Sequence, residues 1–164
     1  MTVDDTVIVP FDGRHLDGIA ELIVPIQRQE FGIPITYEDQ PDLKDIAGFY
    51  QHGAGNFWLA MADSRVVGTI ALLDIGGDAG ALRKMFVAAD YRGAGPAVAK
   101  RLLTTLIDHA RRFRLQTIYL GTTDKFLAAH RFYEKNHFNA VDPGDLPDSF
   151  PRMKVDSKFY RLAL

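Results

Sequence analysis

Apolar residues recur along the chain first at alternating and then at helical spacing, and the changes of rhythm mark out the elements. Residues 7–11 form a short β-branched run closed by Asp12-Gly13, which predicts a strand and a turn. Leu16, Ile19, Ala20 and Ile23 then share one helical face until Pro25, where the pattern must kink or end. Residues 25–41 read as irregular, and a second helix is expected from about Pro41-Asp42, with Leu43, Ile46, Ala47 and Tyr50 on one side and Gly53 beyond its end. Residues 57–62 and 66–75 read as strands joined by the tight turn Asp63-Ser64-Arg65. After the glycine-rich turn at 76–80, residues 81–87 complete an antiparallel meander.

Beyond this point strands and helices alternate, which signals parallel pairing across a crossover. From Pro96 to about Arg112 the stripe Ala99, Leu102, Leu103, Leu106, Ala110 and Phe113 faces inward, while Lys100, Arg101, Thr104, Thr105, Asp108 and Arg111 face out. Residues 117–122 follow as a strand, 127–136 as a helix, and 138–141 and 155–164 as the last strands. With no repeat, linker or low-complexity tract, the pattern predicts one α+β domain over residues 1–164 around a mixed sheet.

Composition narrows the function. The 164 residues are 47% hydrophobic and 24% charged, a globular balance without a run long enough to span a bilayer. A net charge of −2 argues against nucleic acid, and the absence of cysteine removes disulfides and thiolate chemistry. The acidic start Met1-Thr2-Val3-Asp4-Asp5 resembles no signal peptide, so a cytoplasmic location is expected, with no membrane partner. His15, His52, His109, His130 and His137 show no ligand pair on a common helix face, so no metal is indicated. Arg111, Arg112 and Arg114 suit the carboxyl end of the third helix.

The chemistry centres on Arg92-Gly93-Ala94-Gly95-Pro96-Ala97, between a strand and the strongest helix. Free N–H groups and the positive dipole end at a helix start attract anions such as a pyrophosphate, glycines allow close approach, Pro96 suits the first turn, and Arg92 can grip phosphate oxygens. A plain glycine turn before a helix is an equally open reading of these letters. A P-loop is excluded because Gly95 precedes Pro96-Ala97 rather than Lys-Ser/Thr. A dinucleotide fingerprint is excluded because Val98 stands where a third small residue is needed.

What remains resembles the Arg/Gln-x-x-Gly-x-Gly/Ala signature of the GCN5-related N-acetyltransferase (GNAT) superfamily, matched by Arg92, Gly95 and Ala97. The run Leu82-Arg83-Lys84-Met85-Phe86-Val87 before it resembles that superfamily's fourth strand, and Ala129-His130-Arg131-Phe132-Tyr133-Glu134-Lys135-Asn136-His137-Phe138 is similar to its Ala-x-x-x-Tyr-Glu-Lys-x-Gly-Phe segment. The resemblance implies a three-layer α/β/α fold, mostly antiparallel, in which strands four and five run parallel and splay apart. It implies acetyl-CoA as cosubstrate, with Met85, Phe86 and Val87 along the pantetheine arm, and Arg92, Gly93, Ala94, Gly95, Pro96, Ala97 and Val98 around the pyrophosphate. Thr122, Ala129 and Tyr133 complete the implied cofactor site.

The implied reaction is direct attack of an amine on the thioester. A strand-four N–H, of Val87 or its neighbour, would stabilise the oxyanion, and Tyr133 would protonate the departing thiolate; packing of the helix on the sheet is the other reading of that tyrosine, and Phe132 reads as core. Three departures stand out. Phe126 replaces the asparagine seven positions before the tyrosine, with Thr122 and Thr123 as substitutes. His137 replaces the glycine of Gly-Phe, as a turn or surface residue. No carboxylate lies near Gly121, where some members carry a glutamate base, which leaves a water relayed by Asp74, Glu30 or His52. The acceptor is expected to be a small-molecule or peptide amine, shaped by residues 27–40 and 142–152, with Arg28, Arg83 and Arg152 as candidates for a carboxylate on it. A non-catalytic acyl-CoA sensor or assembly module and a different donor such as succinyl-CoA are the competing readings, and the chain is expected to be a monomer or homodimer.

Overall fold

The computed structural model describes residues 6–92 and 98–164. Seven strands form one sheet in the order β1-β2-β3-β4-β5-β7-β6: β1 (Thr6–Pro10), β2 (Asn56–Ala62), β3 (Arg65–Gly76), β4 (Ala79–Val87), β5 (Thr117–Thr122), β6 (Asn139–Val141) and β7 (Lys158–Ala163). Every pairing is antiparallel except β4 with β5. The helices are α1 (Leu16–Pro25), α2 (Pro41–Lys44), α3 (Ile46–Tyr50), α4 (Val98–Arg112) and α5 (Leu127–Lys135). They cover both faces of the sheet, so β2 and most of β3 are buried on both sides and read as near-continuous apolar runs.

The stripe of α4 is where the pattern places it: Leu102, Leu103, Leu106 and Ala110 are fully buried. Gly68 of β3 lies beneath this helix, and a Cβ there would come within 2.9 Å of Leu102 Cδ1 and 3.1 Å of Val98 Cγ1. Phe113 departs from the stripe, because it follows the last helical residue; it lies half outside, against the ring of His109. Pro25 ends α1 but not the helical path. Ile26–Glu30 continue as one π-helical turn, so the stretch expected to be irregular begins only after Glu30. The single helix expected from residue 41 breaks at Asp45, which leaves the helical region and caps α3 through a bond from Gly48 N–H. β7 starts three residues later than expected because residues 153–156 form a tight turn closed by Asp156 N–H to the Met153 carbonyl.

Strand β4 departs from a regular ladder on both of its edges. Its pairing to β5 holds only at Ala79, Gly80 and Ala81, opposite Thr117, Ile118 and Tyr119; beyond that point the strands diverge. Its pairing to β3 is interrupted between Thr69 and Ala71, where Lys84 adopts a left-handed φ of 52°. This bulge, an unfavourable conformation for a residue with a Cβ, is held by a 2.7 Å bond from Thr69 Oγ1 to the Lys84 carbonyl. No helix among the described residues is long and apolar enough to cross a membrane.

Candidate active site

Where β4 and β5 part, their free edges open onto a cavity of about 470 Å³. Residues 82–87 form one wall and residues 120–123 the other. Ala129, Phe132 and Tyr133 of α5 close it on one side, and Phe31, Ile33 and Ile35 on another. The missing ladder is the physical reason for the gap: neither strand has a neighbour there to satisfy its inward-facing main chain.

The structure brings together most of the residues singled out in the sequence. Met85, Phe86, Val87, Arg92, Thr122, Ala129 and Tyr133 all line the cavity. Val98 opens α4 fully buried, with its side chain packed over Gly68, and lies outside the cavity lining. Gly93, Ala94, Gly95, Pro96 and Ala97 lie outside the described residues. Arg92 donates from Nε to the Val87 carbonyl at 2.7 Å and pairs through its guanidinium with Glu30, one contact being 3.0 Å. Phe126, in place of the expected asparagine, stacks edge-on against Phe31 and Phe86. Phe132 is only half-buried and faces the cavity rather than the core alone.

Tyr133 is almost wholly buried, among Phe132, Phe138 and Tyr160, and its hydroxyl has no hydrogen-bond partner among the described residues. Burial holds its phenol well above the ordinary range, so it is protonated at neutral pH. His137 is an exposed turn residue with a φ of 74°, the conformation a glycine there would adopt without strain.

A charged floor meets this apolar slot, and the sequence does not announce it. The bulge turns Lys84 inward, where its Nζ donates to Gln40 Oε1 at 2.5 Å and lies 3.5 Å from Asp42 Oδ2. Tyr50 Oη donates to the same Asp42 oxygen at 2.5 Å. Burial lowers the Lys84 ammonium to about 8 despite the neighbouring Asp42 carboxylate. Arg83 is held more loosely: Asp42 lies 3.9 Å away, Met153 Sδ accepts at 3.6 Å, and Phe49 lies under its guanidinium. Asp156 completes the floor, with Oδ2 accepting from Met153 N–H at 2.9 Å; burial raises its carboxyl above the ordinary carboxylate range.

Of the three arginines considered for an acceptor carboxylate, Arg83 lines the cavity, whereas Arg28 and Arg152 are exposed and outside its lining. The three proton relays considered also lie elsewhere. Asp74 caps the main chain at Ala54 and Gly76, Glu30 pairs with Arg92, and His52 is exposed and bonded to the Phe49 carbonyl. His109 is buried on α4, bonded to the Ala54 carbonyl, and sits against Trp58. No metal-binding group of His, Asp or Glu occurs among the described residues.

Residues 20–138 match the model of the acetyltransferase (GNAT) family. The chain is 32% identical over 132 residues to N-acetylaspartate synthetase of Xenopus tropicalis, covering 75% of this chain and 48% of that protein. It spans less than half the length of the curated relatives it matches. An acetyltransferase of the GNAT family from Staphylococcus aureus superposes with a TM-score of 0.92 at 39% identity, covering 96% of this chain and 98% of that one. N-acetylglutamate synthase from Neisseria gonorrhoeae, solved with coenzyme A and N-acetyl-glutamate, shares the fold with a TM-score of 0.74 at 18% identity, over 97% of this chain and 35% of that one. With the family model covering most of the chain and a solved member matching it nearly end to end, this chain belongs to the GNAT family of acetyltransferases.

Proposed function

We propose that the chain transfers the acetyl group of acetyl-CoA to the amine of a small acceptor that also carries a carboxylate, an amino acid of the aspartate or glutamate kind. The observation that carries this reading is the placement of Arg83. It is a largely buried guanidinium in the cavity lining whose nearest carboxylate, on Asp42, lies beyond hydrogen-bond distance at 3.9 Å. A fixed fork of N–H donors with so few acceptors suits a carboxylate arriving from the cavity. The compound in the name of the N-acetylaspartate synthetase relatives is an acetylated amine that carries carboxylates, which agrees with this chemistry.

Within this reading the diverging strands hold the pantetheine arm, an apolar chain with amide groups that suits a slot lined by Met85, Phe86, Val87, Thr122 and Ala129. Arg92 and the main chain up to Val98 take the pyrophosphate, and Arg92 must then exchange Glu30 for phosphate oxygens. A free amine attacks the thioester carbon, forming the C–N bond, and the oxyanion is received by a main-chain N–H at Val87 or its neighbour. As the C–S bond breaks, Tyr133 gives its proton to sulfur and regains one from the new amide nitrogen.

The test is thiol release from acetyl-CoA by the purified protein with a panel of amino acids, polyamines and peptide amino termini. Turnover concentrated in the dicarboxylic amino acids supports the reading. Turnover with polyamines alone overturns the acceptor class, and a silent panel with acetyl-CoA demonstrably bound favours a non-catalytic binder.

A further inference from the structure

The proposed attack needs a neutral amine, yet an amino acid arrives as an ammonium, so something in the cavity must take a proton. We infer that Asp156 is this general base, a role that rests on the acetyl-transfer reading above. Among the described residues it is the carboxylate that lines the cavity; Asp42 lies behind Lys84 and Arg83, and Glu30 lies outside the lining.

Its placement depends on Gly121. A Cβ built at Gly121 would meet Asp156 Oδ2 at 2.6 Å, so the carboxylate occupies the space that a side chain of β5 would otherwise fill. Neighbouring bonds fix it there: Met153 N–H donates to its Oδ2, and Ser157 N–H donates to the Thr122 carbonyl at 2.9 Å, tying the turn to the end of β5. The last segment of the chain thereby supplies a carboxylate to a strand that carries none at that point. Lys84, whose ammonium burial makes more acidic, is a poorer base because Gln40 and Asp42 both face it and hold the proton in place.

Burial favours the protonated Asp156, while Arg83, Arg152 and Lys84 draw it back toward the anion. Burial raises its carboxyl above the ordinary carboxylate range, and a carboxylate so raised is a stronger base than an exposed one, which suits proton abstraction from an ammonium. In the step, one N–H bond of the ammonium breaks and its proton moves to Asp156. The freed lone pair forms the C–N bond, the C–S bond breaks with protonation of sulfur, and Asp156 returns its proton to solvent after product leaves.

The test compares Asp156→Asn with wild type on an acceptor that wild type turns over, measuring kcat against pH and acetyl-CoA affinity by calorimetry. The expected loss at pH 7 is about 10²–10⁴-fold in kcat with unchanged acetyl-CoA affinity. The residual rate should climb roughly tenfold per pH unit toward the amine's own pKa, closing the gap to wild type, because the variant accepts only amine already deprotonated in solution. A rate within threefold of wild type, or a lowered rate with the wild-type pH profile, overturns the assignment and reduces Asp156 to a turn residue. If the amide variant does not fold, Asp156→Ala read with and without formate replaces it: restoration by formate and not by chloride supports the role, and no restoration overturns it. A wild-type protein silent with every acceptor overturns the acetyl-transfer reading and this role together, whereas wild-type turnover with an unaffected Asp156→Asn overturns this role alone.

Discussion

The two sides of the cavity hold together by different physics. The slot between β4 and β5 is a backbone structure: it exists because a ladder stops after three residue pairs, and its side chains are mostly apolar and exchangeable. The floor is a side-chain structure, in which Asp42, Lys84, Arg83 and Asp156 come from three separate stretches of chain and depend on one another's charge. A slot of the first kind tolerates sequence change and keeps one ligand across many relatives. A floor of the second kind changes character with one residue, which suits the part of a site that selects the acceptor.

Tyr133, in the cavity lining on α5, gives the sharpest way to break that division. Tyr133→Phe keeps the ring that packs against Phe132, Phe138 and Tyr160 and removes only the hydroxyl. If the hydroxyl protonates the thiolate, kcat should fall about 10²–10⁴-fold while acetyl-CoA affinity stays put. Wild-type kcat on a verified acceptor would return Tyr133 to packing alone. A loss confined to acetyl-CoA affinity would place it in the slot.

Lys84 tests whether the floor is held at a cost. Its ammonium falls from 10.5 in the unfolded chain to about 8 in the folded one, because burial penalises the charge more than Asp42 favours it. Between those values the unfolded chain binds more protons, so stability must rise with pH through that window. Between pH 7.5 and 9.5 the gain is about 2 kcal/mol, read as an upward shift of the urea midpoint. Lys84→Met should flatten the slope. A wild-type midpoint that does not move would show that Lys84 stays charged in the fold through Gln40 and Asp42.

The same division explains what could be read from the chain. The α4 stripe and the meander follow from periodicity between elements near one another in sequence, whereas the splayed pair, whose partners lie 38 residues apart, comes with the resemblance to the GNAT superfamily; the structure bears out all three. The floor escapes such reading because its signal is non-local: Asp42 reads as the first turn of a helix, and Asp156 as the second residue of the last expected strand, which the structure starts only at Lys158. Lys84 reads as one more position of β4 until the bulge at Thr69 turns it inward. Gly121 carried the one clue. A glycine in the middle of a strand signals close approach by another group, and here that group is the Asp156 carboxylate.

Glu30 offers the smallest effect and a check on the slot. It occupies Arg92 across the cavity mouth, in a pair whose side chains are each about one-third exposed, and such pairs are worth about 0.2–1 kcal/mol. If Arg92 serves phosphate, Glu30 competes with the ligand for it, and Glu30→Gln should tighten acetyl-CoA binding by up to about fivefold in calorimetry at low salt. The gain should shrink as salt rises, since a partly exposed pair is screened over about 10 Å at 0.1 M. The bond from Arg92 Nε to the Val87 carbonyl survives the substitution and keeps the guanidinium at the mouth. Weaker binding in Glu30→Gln would mean that the carboxylate orients Arg92 toward phosphate instead of competing for it, and the slot would then depend on paired charge just as the floor does.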